Sequence, residues 1–111
     1  MTLHEYLQGM KGKTAAVIGL GVSNRPLVRL LLDSGIRVTA CDRRAREELG
    51  ALADELERAG CGLRLGPDYL KGLHEDVIFR TPGLRPDVPQ IAAAVADGSV
   101  LTSEMEAFFQ V

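Results

Sequence analysis

Short strand-forming runs and helix-forming segments take turns along the whole chain, and that alternation constrains the fold more than any single residue. The first run, Ala15-Ala16-Val17-Ile18, is apolar without a break. A strand with one wet face would alternate, so this one reads as buried on both faces, as in a parallel sheet. Further strands are predicted at Arg37 to Cys41, Leu63 to Leu65, Asp76 to Arg80 and Ser99 to Thr102. Between them lie segments of helical period. Leu27, Val28, Leu31 and Leu32 share one face, and Gly35 ends that helix. Ala45, Leu49, Leu52, Ala53, Leu56 and Ala59 predict one long helix that stops at Gly60. Tyr69, Leu70 and Leu73 fit one helical turn within Asp68 to Leu73, and Pro89 opens a helix through Ile91, Ala92 and Val95. Leu3, Tyr6, Leu7 and Met10 predict a short helix at the amino end.

An α/β alternation of this kind requires parallel strands joined by right-handed crossovers. The expected fold is a Rossmann-like, doubly wound sheet of about five parallel strands in three α/β/α layers. The length of 111 residues suits one domain. Hydrophobic residues at 46% and charged residues at 25% exclude disorder, collagen and coiled coil. A net charge of −2 does not favour nucleic acid or an anionic membrane as partner. No apolar stretch is long enough to span a bilayer. The start, Met1-Thr2-Leu3-His4-Glu5, lacks the pattern of a signal peptide. Two cysteines, Cys41 and Cys61, form no disulfide framework or zinc pattern, so a reducing cytoplasm is the expected setting.

The chemistry-bearing residues cluster after strands. Gly19-Leu20-Gly21-Val22-Ser23-Asn24 follows the first strand and leads into a helix. Glycines there let the backbone approach a phosphate, and the free N–H groups with the helix dipole attract the anion. Ser23 or Asn24 can cap that helix, with Pro26 in its first turn. Asn24 stands where a dinucleotide fingerprint has its third glycine. A plain tight turn is the structural alternative. Asp42 ends the second strand, 23 residues after Gly19, near the spacing at which an acid of dinucleotide folds accepts hydrogen bonds from a ribose. Arg43 and Arg44 follow, and an arginine can stack on a base or pair with a phosphate. The alternative is that Asp42 caps the long helix and both arginines are solvated. Thr81-Pro82-Gly83 ends the fourth strand. In open α/β sheets ligands bind beyond the carboxyl ends of the strands, at the switch in strand order. The first and fourth strands should flank that switch, bringing Gly19 to Asn24 and Thr81 to Gly83 to one crevice.

Gly12-Lys13-Thr14 fails the P-loop pattern and precedes its strand, so it reads as structural. His4 and His74 have no ligand-spaced neighbours and read as surface residues, and Cys41 as a buried strand residue. No catalytic residue and no metal site is expected. From the residues alone, the reading ends at an α/β domain that binds a nucleotide or sugar phosphate and is not a complete catalyst.

Gly12-Lys13, Val17-Ile18-Gly19-Leu20-Gly21-Val22-Ser23, Asp42-Arg43-Arg44, Thr81-Pro82-Gly83 and Thr102-Ser103-Glu104-Met105-Glu106-Ala107-Phe108-Phe109 occur in that order. This ordered set resembles the N-terminal domain of the Mur ligase family, nearest to its D-glutamate-adding branch, and covers essentially the whole chain. The resemblance implies an ATP-dependent, C–N bond-forming ligase of peptidoglycan and cell-wall synthesis, linked to cell shape and division, in the bacterial cytoplasm. Its first domain binds the UDP moiety of UDP-N-acetylmuramoyl-L-alanine. A second binds ATP and Mg2+, and a third takes the D-glutamate. ATP phosphorylates the substrate carboxylate, and the amine attacks the acyl phosphate. Residues 1–111 would be the UDP-substrate domain, with 1–102 as core and 103–111 beginning the connection to the ATP domain. Ser103-Glu104-Met105-Glu106 fits a capping box for that last helix. Gly21, Val22, Ser23 and Asn24 would lie against the diphosphate. Asp42, Arg43 and Arg44 would hold the uracil and ribose, and Thr81, Pro82 and Gly83 the other wall. The domain itself would need no cofactor and would bind without catalysing. Two positions depart from the family pattern: Asn24 where Gly is common, and Thr81 where Ser is usual. The alternatives are an NAD(P)-binding domain of an oxidoreductase and a non-catalytic nucleotide-sensing module.

Overall fold

The computed structural model describes residues 3–20, 25–80 and 88–102. Helix α1 (Leu3–Met10) leads into strand β1 (Thr14–Ile18). Helix α2 (Arg25–Asp33) connects to β2 (Arg37–Asp42). Helices α3 (Arg46–Leu49) and α4 (Ala51–Arg58) connect to β3 (Gly62–Leu65). Strand β4 (Val77–Phe79), helix α5 (Pro89–Ala96) and strand β5 (Val100–Thr102) complete the order.

The five strands form one sheet in the order β3-β2-β1-β4-β5, and every pairing is parallel. The chain runs outward from β1 to β3, returns past β1, and continues outward through β4 to β5. The strand order therefore reverses between β1 and β4, as the alternation predicted. Val17 pairs with Ala40 on one side and Phe79 on the other.

The unbroken apolar runs are explained by cover on both faces. Ala15, Val17, Val38, Ala40, Val77 and Phe79 face Leu27, Val28 and Leu31 of α2 and Leu49, Ala53 and Leu56 of α3 and α4. The alternate residues Ala16, Ile18, Cys41 and Ile78 face Leu70, Leu73, Ile91 and Ala94. Three layers result, with the sheet in the middle.

Two connections differ from expectation. The long helix predicted over 45–59 is broken into α3 and α4 at Gly50, whose φ of 58° and ψ of −129° suit glycine and strain a residue with a Cβ. The apolar period runs straight through the break, so periodicity alone did not show it. The span Asp68 to Leu73 forms successive turns and no α-helix; Tyr69, Lys71 and Leu73 donate backbone bonds three residues back, to Gly66, Asp68 and Leu70. Its apolar side chains still cover the sheet. Gly60 does stop α4 as predicted. Its N–H donates to the Glu57 carbonyl at 3.1 Å, and Cys61 N–H donates to the Leu56 carbonyl at 3.0 Å, the Schellman pattern. The capping box at Ser103 to Glu106, and the helix cap at Ser23 or Asn24, lie outside the described residues.

Candidate functional site

The reversal of strand order puts the carboxyl ends of β1 and β4 side by side, so the segments that follow them leave the same edge of the sheet. Gly21, Val22, Ser23, Asn24, Thr81, Pro82 and Gly83 belong to those segments and lie outside the described residues. Gly19, Leu20, Asp42, Arg43 and Arg44 are described, and they give this edge its geometry.

At the end of β1 the chain turns at Gly19, with φ of 92°. That conformation is open to glycine and costly for other residues. Gly19 N–H donates to the Cys41 carbonyl at 2.6 Å, which keeps the chain beside β2 for one more residue. Leu20 is then fully buried in the core between the sheet and α2 to α4. Its backbone is caught from both sides. Leu20 N–H donates to Asp42 Oδ2 at 2.8 Å, and the Leu20 carbonyl accepts Arg44 Nη2 at 3.2 Å.

Asp42 is the centre of this arrangement. Its Oδ1 accepts the Arg44 backbone N–H at 2.8 Å and Arg44 Nε at 3.0 Å. Its Oδ2 also accepts Arg44 Nη2 at 3.0 Å. The residue is only 6% exposed, whereas the Arg44 side chain is 43% exposed. Burial pushes the Asp42 carboxyl up, but the Arg44 side chain and the amides of Arg44 and Leu20 outweigh it and hold it down to about 2. A buried carboxylate stays charged when donors surround it. The carbonyls of Asp42 and Arg44 in turn accept the N–H of Gly66, at 3.1 and 3.2 Å, so the end of β3 is tied in as well. Asp42 does not cap the following helix, which starts at Arg46. Arg43 is exposed and makes no hydrogen bond or ion pair among the described residues.

Sequence reasoning missed a second polar cluster, on the opposite sheet face. Glu75 is 3% exposed, and its Oε1 accepts Arg64 Nη2 at 2.9 Å. Its Oε2 accepts the His74 N–H at 3.1 Å. Burial opposes the charge on Glu75, and Arg64 together with the backbone amides holds its carboxyl below the usual value. Arg64 Nη1 also lies 3.6 Å from Cys41 Sγ. Burial pushes that thiol up to about 11 against the pull of Arg64, so it is no nucleophile near neutral pH. The one signal for Arg64 was its charge within the run Leu63-Arg64-Leu65. Nothing local marked Glu75.

Other expectations concern the remaining surface. Cys41 is buried and His74 exposed, as predicted. Thr14, in the failed P-loop pattern, lies at the amino end of β1, where its hydroxyl and amide pair with Asp76. Among the described residues no three His, Cys, Asp or Glu side chains gather as a metal site, and no helix is long and apolar enough to cross a membrane. An open groove of about 290 Å³ between α2 and α4, lined by Arg29, Glu55, Arg58 and Ala59, lies away from the reversal.

Comparison with known proteins agrees with this architecture. Residues 13–103 match the family model described as Mur ligase MurD-like, N-terminal domain. The UDP-N-acetylmuramoylalanine–D-glutamate ligase of Ruminiclostridium cellulolyticum is 47% identical over 97% of this chain and 23% of its own length. The protein of the same name from Clostridium botulinum (strain Okra / Type B1) is 48% identical over 91% of this chain and 22% of its own length. The chain thus spans under a quarter of the length of these relatives. A shikimate 5-dehydrogenase from Mycobacterium fortuitum superposes with a TM-score of 0.51 at 21% identity, covering 84% of this chain and 45% of that one, a likeness of fold alone. With the family model matched over nearly the whole described fold, this chain belongs to the MurD-like N-terminal domains of the Mur ligases.

Proposed function

We propose that this chain is the substrate-anchoring domain of an ATP-dependent ligase that adds D-glutamate to UDP-N-acetylmuramoyl-L-alanine in peptidoglycan synthesis. The observation that carries the reading is the 47% identity, over 97% of the chain, to a protein named for that activity. In this reading the UDP moiety binds at the carboxyl edge where the strand order reverses. Gly21, Val22, Ser23 and Asn24 lie against the diphosphate, Arg43 and Arg44 serve the nucleoside end, and Thr81, Pro82 and Gly83 form the far wall. A glycine turn at a strand end beside the reversal of strand order supports this, because ligands of open α/β sheets bind at that place. Residues 1–102 form the domain's core, and 103–111 begin the connection onward. Such a ligase works on a soluble nucleotide-linked substrate, which fits a cytoplasmic setting.

The residues present do not fit ATP and Mg2+. Gly12-Lys13-Thr14 sits at the amino end of β1, and the Thr14 hydroxyl is taken up by Asp76. ATP, Mg2+ and D-glutamate therefore belong, in this proposal, to the rest of the ligase. The 111 residues alone bind without catalysing.

The test is an amide-resolved NMR titration with UDP-N-acetylmuramoyl-L-alanine, with NAD and NADP in parallel. The expected result is shifts confined to residues 20–24, 42–44 and 81–83 with the uridine ligand alone. Ser23→Ala should weaken binding while leaving the spectrum elsewhere unchanged. Shifts with NAD or NADP instead would move the reading to an oxidoreductase domain. Silence with all three would leave a non-catalytic module.

A further inference from the structure

In dinucleotide folds, the acid that ends the second strand accepts the ribose hydroxyls. The geometry here points to another job for Asp42. A carboxylate offers about four lone-pair sites. Those of Asp42 meet four N–H donors: Leu20 N, Arg44 N, Arg44 Nε and Arg44 Nη2, all between 2.8 and 3.0 Å. Ribose hydroxyls would have to displace one of them. Arg44 Nη2 closes the ring by donating to the Leu20 carbonyl. The Leu20 backbone, just after the Gly19 turn, and the Arg44 guanidinium are thereby held as one piece. Arg44 keeps Nη1 without a partner among the described residues, on a side chain that is 43% exposed.

We infer that Asp42 is a positioning residue, not a ribose acceptor: it locks the Leu20 backbone to Arg44, so that the glycine turn and one guanidinium meet a nucleoside diphosphate as a preformed unit. This rests on the proposed binding of UDP at this edge. Preorganisation helps binding because the ordering cost is met at folding and not at association. An Asn at position 42 cannot do the same. One of its two polar atoms is a donor, and it would confront N–H groups in place of accepting them.

The test uses the whole 111-residue chain, UDP and 2′,3′-dideoxy-UDP. Hydrogen exchange of the Leu20 amide is followed with and without saturating UDP. The expected result is protection that persists or rises in the complex. Loss of Leu20 protection on binding would overturn the inference, because Asp42 would have swung to the ligand. This arm needs no variant. In the second arm, Asp42→Asn should weaken UDP binding by roughly tenfold, the scale of a lost charged hydrogen bond. The same factor, within about twofold, should apply to dideoxy-UDP, as independent sites add. If the penalty vanishes for dideoxy-UDP, Asp42 touches the ribose and the inference fails while UDP binding stands. If wild type binds no UDP at millimolar concentration, the proposed function fails and the inference falls with it.

Discussion

Two aspartates tie β1 to a neighbouring strand, one at each end of the sheet, and they do so at very different cost. At the amino end, Asp76 Oδ2 accepts the Thr14 N–H at 2.9 Å and the Thr14 hydroxyl at 3.2 Å, while Thr14 Oγ1 accepts the Asp76 N–H at 3.0 Å. All of this is exposed. At the carboxyl end, Asp42 accepts the Leu20 N–H at a similar distance, but it is buried and carries Arg44 as well. Water can replace Asp76 for Thr14. It cannot reach Leu20 without opening the core. Equal bond lengths therefore do not mean equal importance; burial decides what a lost partner leaves behind.

The largest expected effect is Asp42→Ala. It strips the acceptor from the buried Leu20 amide and from three Arg44 N–H bonds, one of which reaches Leu20 as well. A loss of about 2–3 kcal/mol is expected in urea unfolding, as for other buried charged hydrogen bonds. A loss indistinguishable from that of Asp76→Ala would erase the contrast between the two ends.

Acid titration sharpens it further. Asp42 holds its proton less readily in the folded chain, at about 2, than at the ordinary value of 3.8. As pH falls, the unfolded chain therefore takes up the proton first. The stabilisation is complete above the ordinary value and is lost as pH drops from there towards 2, about 2 kcal/mol in all. Unfolding midpoints followed over that window should fall less steeply in Asp42→Asn than in wild type. Parallel curves would mean that other carboxylates dominate.

The smallest effect belongs to the exposed pin. Asp76→Asn should lower the urea midpoint less than Asp42→Asn does. Its effect should shrink further at roughly 1 M salt, where exposed charges are screened within a few ångströms. The Asp42→Asn effect should survive that salt. If salt weakened both alike, Asp42 would be far wetter than its 6% exposure indicates.

Much of the fold was legible because it rests on local pattern. The run Ala15 to Ile18 announced a strand covered on both faces, and β1 is that strand. Gly60 announced the end of α4, since its N–H serves a helix carbonyl in the expected motif. Gly50 was read through, because a break that keeps Leu49, Ala53 and Leu56 on one face leaves the apolar period intact. The turns at 68–73 were read as one helical turn for a related reason: Leu70 and Leu73 must cover the sheet whatever backbone carries them. At the candidate site, Asp42 was legible as the acid that ends β2. Its partners were not. Glu75 and Arg64 were missed altogether, because each lacks any local sign of the other.

What the amino-acid sequence determined by itself is the alternation of strand and helix, and with it parallel pairing, three layers and an expected reversal of strand order with the Gly19 turn beside it. Those follow from the spacing of apolar residues and from glycine's freedom, which act over a few residues at a time. Tertiary structure alone decided which donor meets which acceptor. Leu20 and Asp42 stand 22 residues apart in the chain and 2.8 Å apart in space only because β2 lies beside β1. Burial at that junction then made their hydrogen bond costly to lose, and burial belongs to the assembled sheet and helices rather than to either segment.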